Sequence, residues 1–280
     1  PRLVVAPSFI VSLLFIYGLM AWNGYLSLSA SRILPNYDFV GLQQYLALLE
    51  SDRFRVAMTN MGIFGALFIG GAMALGIFLA ILLDQKVRAE GVLRTIYLYP
   101  MAVSMIVTGT AWKWILNPGL GLEHLMHQWG FEHFSFDWLV QQDTAIYCVV
   151  IAGVWQSAGF VMALFLAGLR GIDESIIKAA QVDGASLPRI YWSIILPSLR
   201  PVFFSTLMVV SHLAIKSFDL VMALTAGGPG YATDLPATFM YATAFTRGQI
   251  GLGAASATIM LATVAAIVVP YLYSELRSKR

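Results

Sequence analysis

Charge is scarce in this sequence: 11% of its 280 residues are Asp, Glu, Lys or Arg, against roughly a quarter in ordinary soluble domains. A water-soluble fold places charge over most of its surface, and so little cannot cover a body of this size. Cysteine is nearly absent too. Cys148 is the single one; it lies in an apolar stretch and reads as a structural thiol, which excludes an internal disulfide framework and a cysteine-based metal site. Neither sign of charge prevails, since 17 Lys and Arg against 15 Asp and Glu leave a net +2, and no basic run marks a nucleic-acid footprint. No secretory signal is visible, because the first apolar run, from Leu3, is too long for an h-region and lacks a small-residue cleavage site. A chain that opens at Pro1 is expected to lack a short native N-terminus. There is no Gly-x-x-x-x-Gly-Lys-[Ser/Thr] loop to cradle phosphates, and the patterns at Gly119 to Gly121 and Gly227 to Gly230 read as turns. Glu123, His124, His127 and Glu132 lack His-Glu-x-x-His order and read as solvated surface, so no metal is expected. No nucleophile stands with a matching base in a recognisable order, which leaves an enzyme without positive evidence.

What the chain has in abundance is apolar length. Hydrophobic residues make up 59%, and a helix crossing roughly 30 Å of hydrocarbon needs about 20 mostly apolar residues. Six windows satisfy this, approximately Leu3 to Ala30, Ala57 to Leu83, Thr95 to Leu116, Thr144 to Leu169, Pro201 to Leu224 and Gly251 to Tyr273. Lipid forces each to be helical, because backbone groups there can bond only within their own segment. The expected fold is therefore an all-α polytopic membrane protein forming one domain over 1–280.

Orientation follows from the basic residues. With the N-terminus inside, Arg2, Lys86, Arg88, Arg94, Arg170, Lys178, Arg189, Arg200, Arg277, Lys279 and Arg280 are cytoplasmic, Arg32, Arg53, Arg55 and Arg247 are outside, and Lys113 and Lys216 fall within spans. That asymmetry predicts both termini inside. Trp112, Trp114, Trp129 and Trp138 then lie near outer span ends, where aromatic anchors are expected. Gly62, Ala66, Gly70 and Ala74 recur at every fourth position of the second span, which predicts a smooth face for close helix packing.

The segment between the fourth and fifth spans, about 170–200, is different in character. Asp173 can cap a short helix with an apolar edge of Ile176, Ile177 and Ala180, and Gly184 supplies a left-handed position to end it. Ser186 can cap a second helix with Pro188 in its first turn, and Pro197 breaks the pattern before the fifth span. Too polar for lipid and too apolar along one edge to float free, this helix-turn-helix is expected to press against a partner protein.

Lys178-Ala179-Ala180-Gln181-Val182-Asp183-Gly184-Ala185, followed by Ile195-Leu196-Pro197, resembles the EAA loop of permease subunits of ATP-driven, binding-protein-dependent (ABC) importers. The family pattern is Glu-Ala-Ala, two residues, Asp-Gly-Ala, and an Ile-x-Leu-Pro close; here Lys178 stands where the family has Glu. Phe39 to Tyr45 and Leu224-Thr-Ala-Gly-Gly-Pro-Gly230 are similar to segments of the carbohydrate-uptake, maltose-type branch, with glucose, mannose, glucoside or polyol permeases suggested most closely. The resemblance covers roughly the whole chain. It implies a MetI-like architecture and a multi-pass place in the bacterial inner membrane. It also implies pairing with a second permease, docking of an ATPase dimer on the EAA loop, and delivery of sugar by an extracytoplasmic binding protein. Lys178, Ala179, Ala180, Asp183, Gly184, Ala185, Leu196 and Pro197 are the implied coupling residues. ATP and Mg²⁺ are expected on the partner ATPase subunits, with no cofactor on this chain and no nucleic-acid partner.

Ionisable groups at membrane depth are costly and usually face a cavity or a partner. In the fifth span, His212, Lys216 and Asp219 fall at spacings of four and three, along roughly one helical face. They could line a polar pathway, or Lys216 and Asp219 could pair as an internal brace; the sequence supports both. Trp155 and Gln156 in the fourth span offer a stacking face and an amide for a sugar, and helix packing explains them equally. Asn60 and Lys113 lie nearer the outer boundary, where snorkelling accounts for the lysine. An ion-gradient-driven secondary transporter or channel of six spans is the main alternative, although it gives no reason for the helix-turn-helix around Asp183 and Gly184.

Overall fold

A computed structural model describes residues 2–34, 36–85 and 87–278. Lys86, Lys279 and Arg280, counted above as cytoplasmic charges, lie outside the described residues. In chain order the helices are α1 (Arg2–Ser12), α2 (Leu19–Ser27), α3 (Gln43–Glu50), α4 (Asp52–Asp84), α5 (Glu90–Ala102), α6 (Met105–Ile115), α7 (Leu122–Gln128) and α8 (Ala145–Arg170). They continue with α9 (Glu174–Val182), α10 (Leu187–Ile190), α11 (Leu196–Ser198), α12 (Arg200–Ile215), α13 (Phe218–Leu224), α14 (Pro236–Tyr241) and α15 (Ile250–Ser278).

Among the described residues, four helical stretches are long and apolar enough to cross a bilayer unaided: Ala6–Ser27, Asp52–Asp84, Ala145–Arg170 and Ile250–Tyr271. The 33 residues of α4 reach about 50 Å, more than the hydrocarbon thickness, so part of it stands outside the lipid. The third and fifth windows depart from the expectation of straight spans. α5 and α6 meet at 100°, and the helix from Leu187 to Ser198 meets α12 at 66°. Both breaks have local causes. Ser104 takes extended backbone and accepts the Val107 N–H at 3.3 Å, starting a new helix after Pro100 and Val103. Pro201 in the first turn of α12 leaves Leu199 as the corner. The fifth window is interrupted again after Lys216: Ser217 (φ −71°, ψ 63°) forms an inverse γ-turn in which Phe218 N bonds Lys216 O at 2.7 Å.

The main apolar core lies between α4 and α8, where Phe64, Phe68 and Ala72 meet Val149, Ala152, Val161 and Phe165. Close approach depends on missing side chains: a Cβ at Gly76 would lie 2.5 Å from Val161, and one at Gly71 2.9 Å from Val154. The Gly62, Ala66, Gly70 and Ala74 stripe is exposed instead, so the predicted smooth face is not the one that packs within the chain. α4 carries two small-residue faces, and the one flanked by Phe64 and Phe68 turns inward because those rings bury the greater apolar area. A smaller core of Leu48, Phe54, Ala57, Phe239 and Ala255 joins α3, α14 and α15 to the start of α4. Asn23 Nδ2 ties α2 to α15 by donating to Thr258 Oγ1 at 3.1 Å.

Candidate functional site

The loop between α8 and α12 is built by local rules. Asp173 accepts the Ser175 N–H at 2.8 Å and so caps α9. Those bonds, from the backbone and hydroxyl of Ser175, hold the carboxyl below its usual pKa. α9 ends in a paired-bond cap: Ala185 N reaches Ala180 O at 3.0 Å, Gly184 N reaches Gln181 O at 3.0 Å, and Gly184 sits at φ +76°. This Schellman arrangement needs a left-handed residue at 184, brings Ala180 and Ala185 together where the chain folds back, and leaves Asp183 as the cap. The Ala-Ala-x-x-Asp-Gly-Ala pattern is thus a recipe for one turn.

Lys178, at the position where the resemblance expects an acid, lies 2.8 Å from Glu174 one turn earlier, and that bond raises its pKa. Both groups are well exposed, so the pair is worth little in stability. It does place a carboxylate beside the lysine on the same helix face. Ser186 has the extended backbone of a cap but makes no side-chain cap bond, which corrects the expected capping role. Pro188 occupies the first turn of α10. The helix ends at Ser198, one residue past Pro197, and bends by 66° before α12, where the interruption is expected; a wider π-helical turn over Tyr191–Ile195 precedes the proline. Such a turn absorbs the carbonyl that a proline leaves without its N–H partner.

The loop has two faces. Ala180, Ile190 and Ile195 are buried, with Ile177, Ala185 and Leu196 half-buried beside them. Opposite, Val182 is 88%, Trp192 75% and Leu187 57% exposed, with Lys178, Ala179, Asp183, Gly184 and Pro197 also exposed. Ile176 belongs to this outer side rather than to the inward edge expected of it. Val182, Leu187 and Trp192 thus present apolar side chains that this chain does not itself cover.

Two polar contacts at the base of this loop were not foreseen. Glu90 Oε1 accepts from Arg94 and from Arg170, each at 2.6 Å. Tyr191 donates to Asp84 Oδ2 at 2.8 Å and accepts from Gln85 Nε2 at 2.6 Å. Arg94 lies one turn from Glu90, whereas Arg170 is 80 positions from Glu90 and Tyr191 107 from Asp84, separations that leave no local signal.

Within the bundle, a cavity of about 480 Å³ opens at the α5–α6 corner, lined by Val103, Ser104, Gln156, Ser157 and Phe160 among others. Gln156 is 5% exposed. Its Nε2 donates to Val103 O at 2.7 Å, satisfying a carbonyl freed by the corner, while its Oε1 is buried without a partner among the described residues. Trp155, one position away, does not line this cavity; its ring stands edge-on to Trp112 at 5.8 Å. His212, Lys216 and Asp219 are exposed on the chain's surface, outside the lining of that cavity. The γ-turn at Ser217 separates Asp219 from the other two, so the single-face argument fails, and among the described residues Lys216 and Asp219 form no ion pair. The internal brace is therefore absent.

At the opposite end, the loop that follows the Leu224 to Gly230 segment is tied to α4. Arg53 Nε lies 2.6 Å from the buried Asp234 carboxylate, its guanidinium 4.5 Å above the Tyr231 ring. Asn60 donates to Tyr231 O and Asp234 O at 3.1 and 3.0 Å, a structural task for a residue the sequence left without one. Glu123 and His127 are also engaged: Glu123 accepts the Phe136 N–H at 3.0 Å, and His127 Nε2 lies 2.7 Å from Phe134 O.

The family described as "Binding-protein-dependent transport system inner membrane component" matches residues 72–278, well over half of the chain. The chain belongs to this family. Relatives extend the match over most of the chain. The protein named "Probable ABC transporter permease protein" in Pyrococcus horikoshii is 39% identical over 97% of this chain and 94% of its own length. The xylose/arabinose import permease protein of Haloferax volcanii is 35% identical over 95% and 85%. The trehalose/maltose transport system permease protein of Thermococcus litoralis is 31% identical over 96% and 91%. Among solved structures, a bacterial ABC transporter involved in import of the acidic polysaccharide alginate matches with a TM-score of 0.86 at 20% identity, covering 99% of this chain and 95% of that one. At that identity the likeness shows the fold. An inward-facing methionine transporter matches with a TM-score of 0.53, and, taken together with the family match, the chain has the MetI-like importer permease fold expected of it.

Proposed function

We propose that this chain forms half of the translocation pathway of an ATP-driven sugar importer and couples it to an ATPase subunit through the loop from Gly171 to Ser198. One observation carries the reading: the Asp183–Gly184 turn displays Val182, Leu187 and Trp192 outward on a helix pair too short to span lipid. An ion-driven transporter has no use for such a surface. Lys178, Ala179, Ala180, Asp183, Gly184, Ala185, Leu196 and Pro197 form or support the docking turn. ATP and Mg²⁺ belong on the ATPase partners, and a second permease completes the bundle. The loop and both termini face the cytoplasm, in keeping with the excess of Lys and Arg on that side. Sugar is supported by the names of the pentose and disaccharide permeases among the relatives and by the chemistry of Gln156, whose buried, unpartnered Oε1 beside the cavity can accept from a hydroxyl. His212, Lys216 and Asp219 face outward from this chain, where the companion permease would close the pathway.

Purification from the cytoplasmic membrane, followed by uptake measurements with a panel of labelled sugars, tests this. The expected result is co-purification with an ATPase subunit and a second permease, with ATP-dependent uptake of a mono- or disaccharide. A stable solitary chain that moves solute on an ion gradient would overturn it.

A further inference from the structure

Motion of the loop reaches α8 and α12 through the backbone, since the chain runs directly into both. α4 and α5 have no such continuity with it. We infer that two polar tethers carry loop motion into these helices: Arg170–Glu90 at the entry of the loop and Tyr191–Asp84 at its exit. Arg170 is the last residue of α8 and Glu90 the first of α5, so a single carboxylate oxygen, 2.6 Å from both Arg170 and Arg94, clamps the start of the loop to the bent third segment. Asp84 is the last residue of α4. An acid there opposes the helix dipole, so its place at that end calls for a specific partner. Tyr191 supplies it, its hydroxyl caught between Asp84 and Gln85. Ile190 and Ile195, both buried on either side of it, fix the direction of the ring through the π-helical turn. When the docked surface moves, α4 and α5 are pulled with it, and α5 leads to the corner where Gln156 holds Val103.

This inference rests on the coupling role proposed above, and one experiment separates the two. The assembled transporter is reconstituted in liposomes with Tyr191→Phe, Asp84→Ala, Asp84→Asn or Glu90→Ala, and sugar moved per ATP hydrolysed is measured beside subunit assembly. Tyr191→Phe, Asp84→Ala and Glu90→Ala are expected to assemble and hydrolyse ATP while transport per ATP falls about fivefold or more. Asp84→Asn keeps an acceptor oxygen and should couple as the unsubstituted chain does. Tyr191→Phe combined with Asp84→Ala should be no worse than either alone, as for two ends of one contact. An unchanged ratio in variants of both tethers overturns the inference and leaves the coupling loop standing. Loss of assembly in Tyr191→Phe marks a merely structural contact and overturns it as well. An unsubstituted chain that retains no ATPase subunit defeats both readings.

Discussion

Arg53 and Asp234 are 181 residues apart in sequence and 2.6 Å apart in space, joining the first turn of α4 to the loop that leads into α14. The Asp234 side chain is 1% exposed, and Thr238 Oγ1 donates to its other oxygen. Removing the guanidinium strands a buried carboxylate, which costs about 3–5 kcal/mol. Arg53→Ala is accordingly expected to lower the unfolding temperature in detergent and to open the 225–235 loop to protease. Arg53→Lys keeps the charge but loses the planar stacking over Tyr231, and should fall between the two. Equal stability of all three forms would show the pair to be idle.

Gly184 carries the α9 turn at φ +76°, with open space where a Cβ would stand. A side chain there is therefore opposed by backbone strain alone within this chain, about 1–2 kcal/mol, together with whatever partner sits on the turn. Gly184→Ala should leave the protein inserted and reduce coupling partially. Gly184→Asp should insert and uncouple, since it adds bulk and charge to the docking surface. Normal substrate-stimulated ATP hydrolysis in Gly184→Asp would remove the coupling account of the loop.

The Asp173 cap gives a pH dependence whose sign is fixed. Its folded carboxyl titrates below the ordinary value because the ion accepts from Ser175, so the cap stabilises α9 at every pH above the usual carboxylate range. That contribution is lost as acidification passes through the lowered value. Hydrogen exchange at the α9 amides should be insensitive to pH-dependent opening near neutrality and show added opening in acid. Asp173→Asn, which also caps, should retain protection at neutral pH without the acid-sensitive step, and Asp173→Ala should lose protection throughout.

Much of this architecture is legible in sequence because lipid allows few alternatives: a 20-residue apolar window has to be a helix, and charges between windows show where it ends. The α9 turn is legible for another reason, since Asp183, Gly184 and Ala185 build it within one turn of each other. The corners are not. That of α5 and α6 is stabilised by Gln156, 53 positions from the carbonyl it satisfies. The inward face of α4 is equally hidden, because Gly70 and Gly71 are adjacent, and only the rings of Phe64 and Phe68 with the valines of α8 decide which faces in. The tethers at Glu90 and Asp84 join distant segments through ordinary charged residues, which periodicity cannot distinguish from flanking charges.

Lys216 and Asp219 provide the sharpest test of where solute passes. Each stands exposed beside the γ-turn at Ser217, and without an ion pair between them neither braces this chain. Truncating either should then cost the isolated fold little, as for surface positions generally. If both face the pathway shared with the companion permease, Lys216→Ala and Asp219→Ala should reduce uptake about ten- to a hundredfold while subunit assembly is preserved, each losing roughly the 1.5–3 kcal/mol of a charged hydrogen bond to a solute hydroxyl. Gln156→Leu differs in kind, because it also orphans the Val103 carbonyl and should destabilise the corner along with transport. Normal uptake in both the Lys216 and Asp219 variants would move the pathway away from the broken fifth segment and toward the cavity at Gln156.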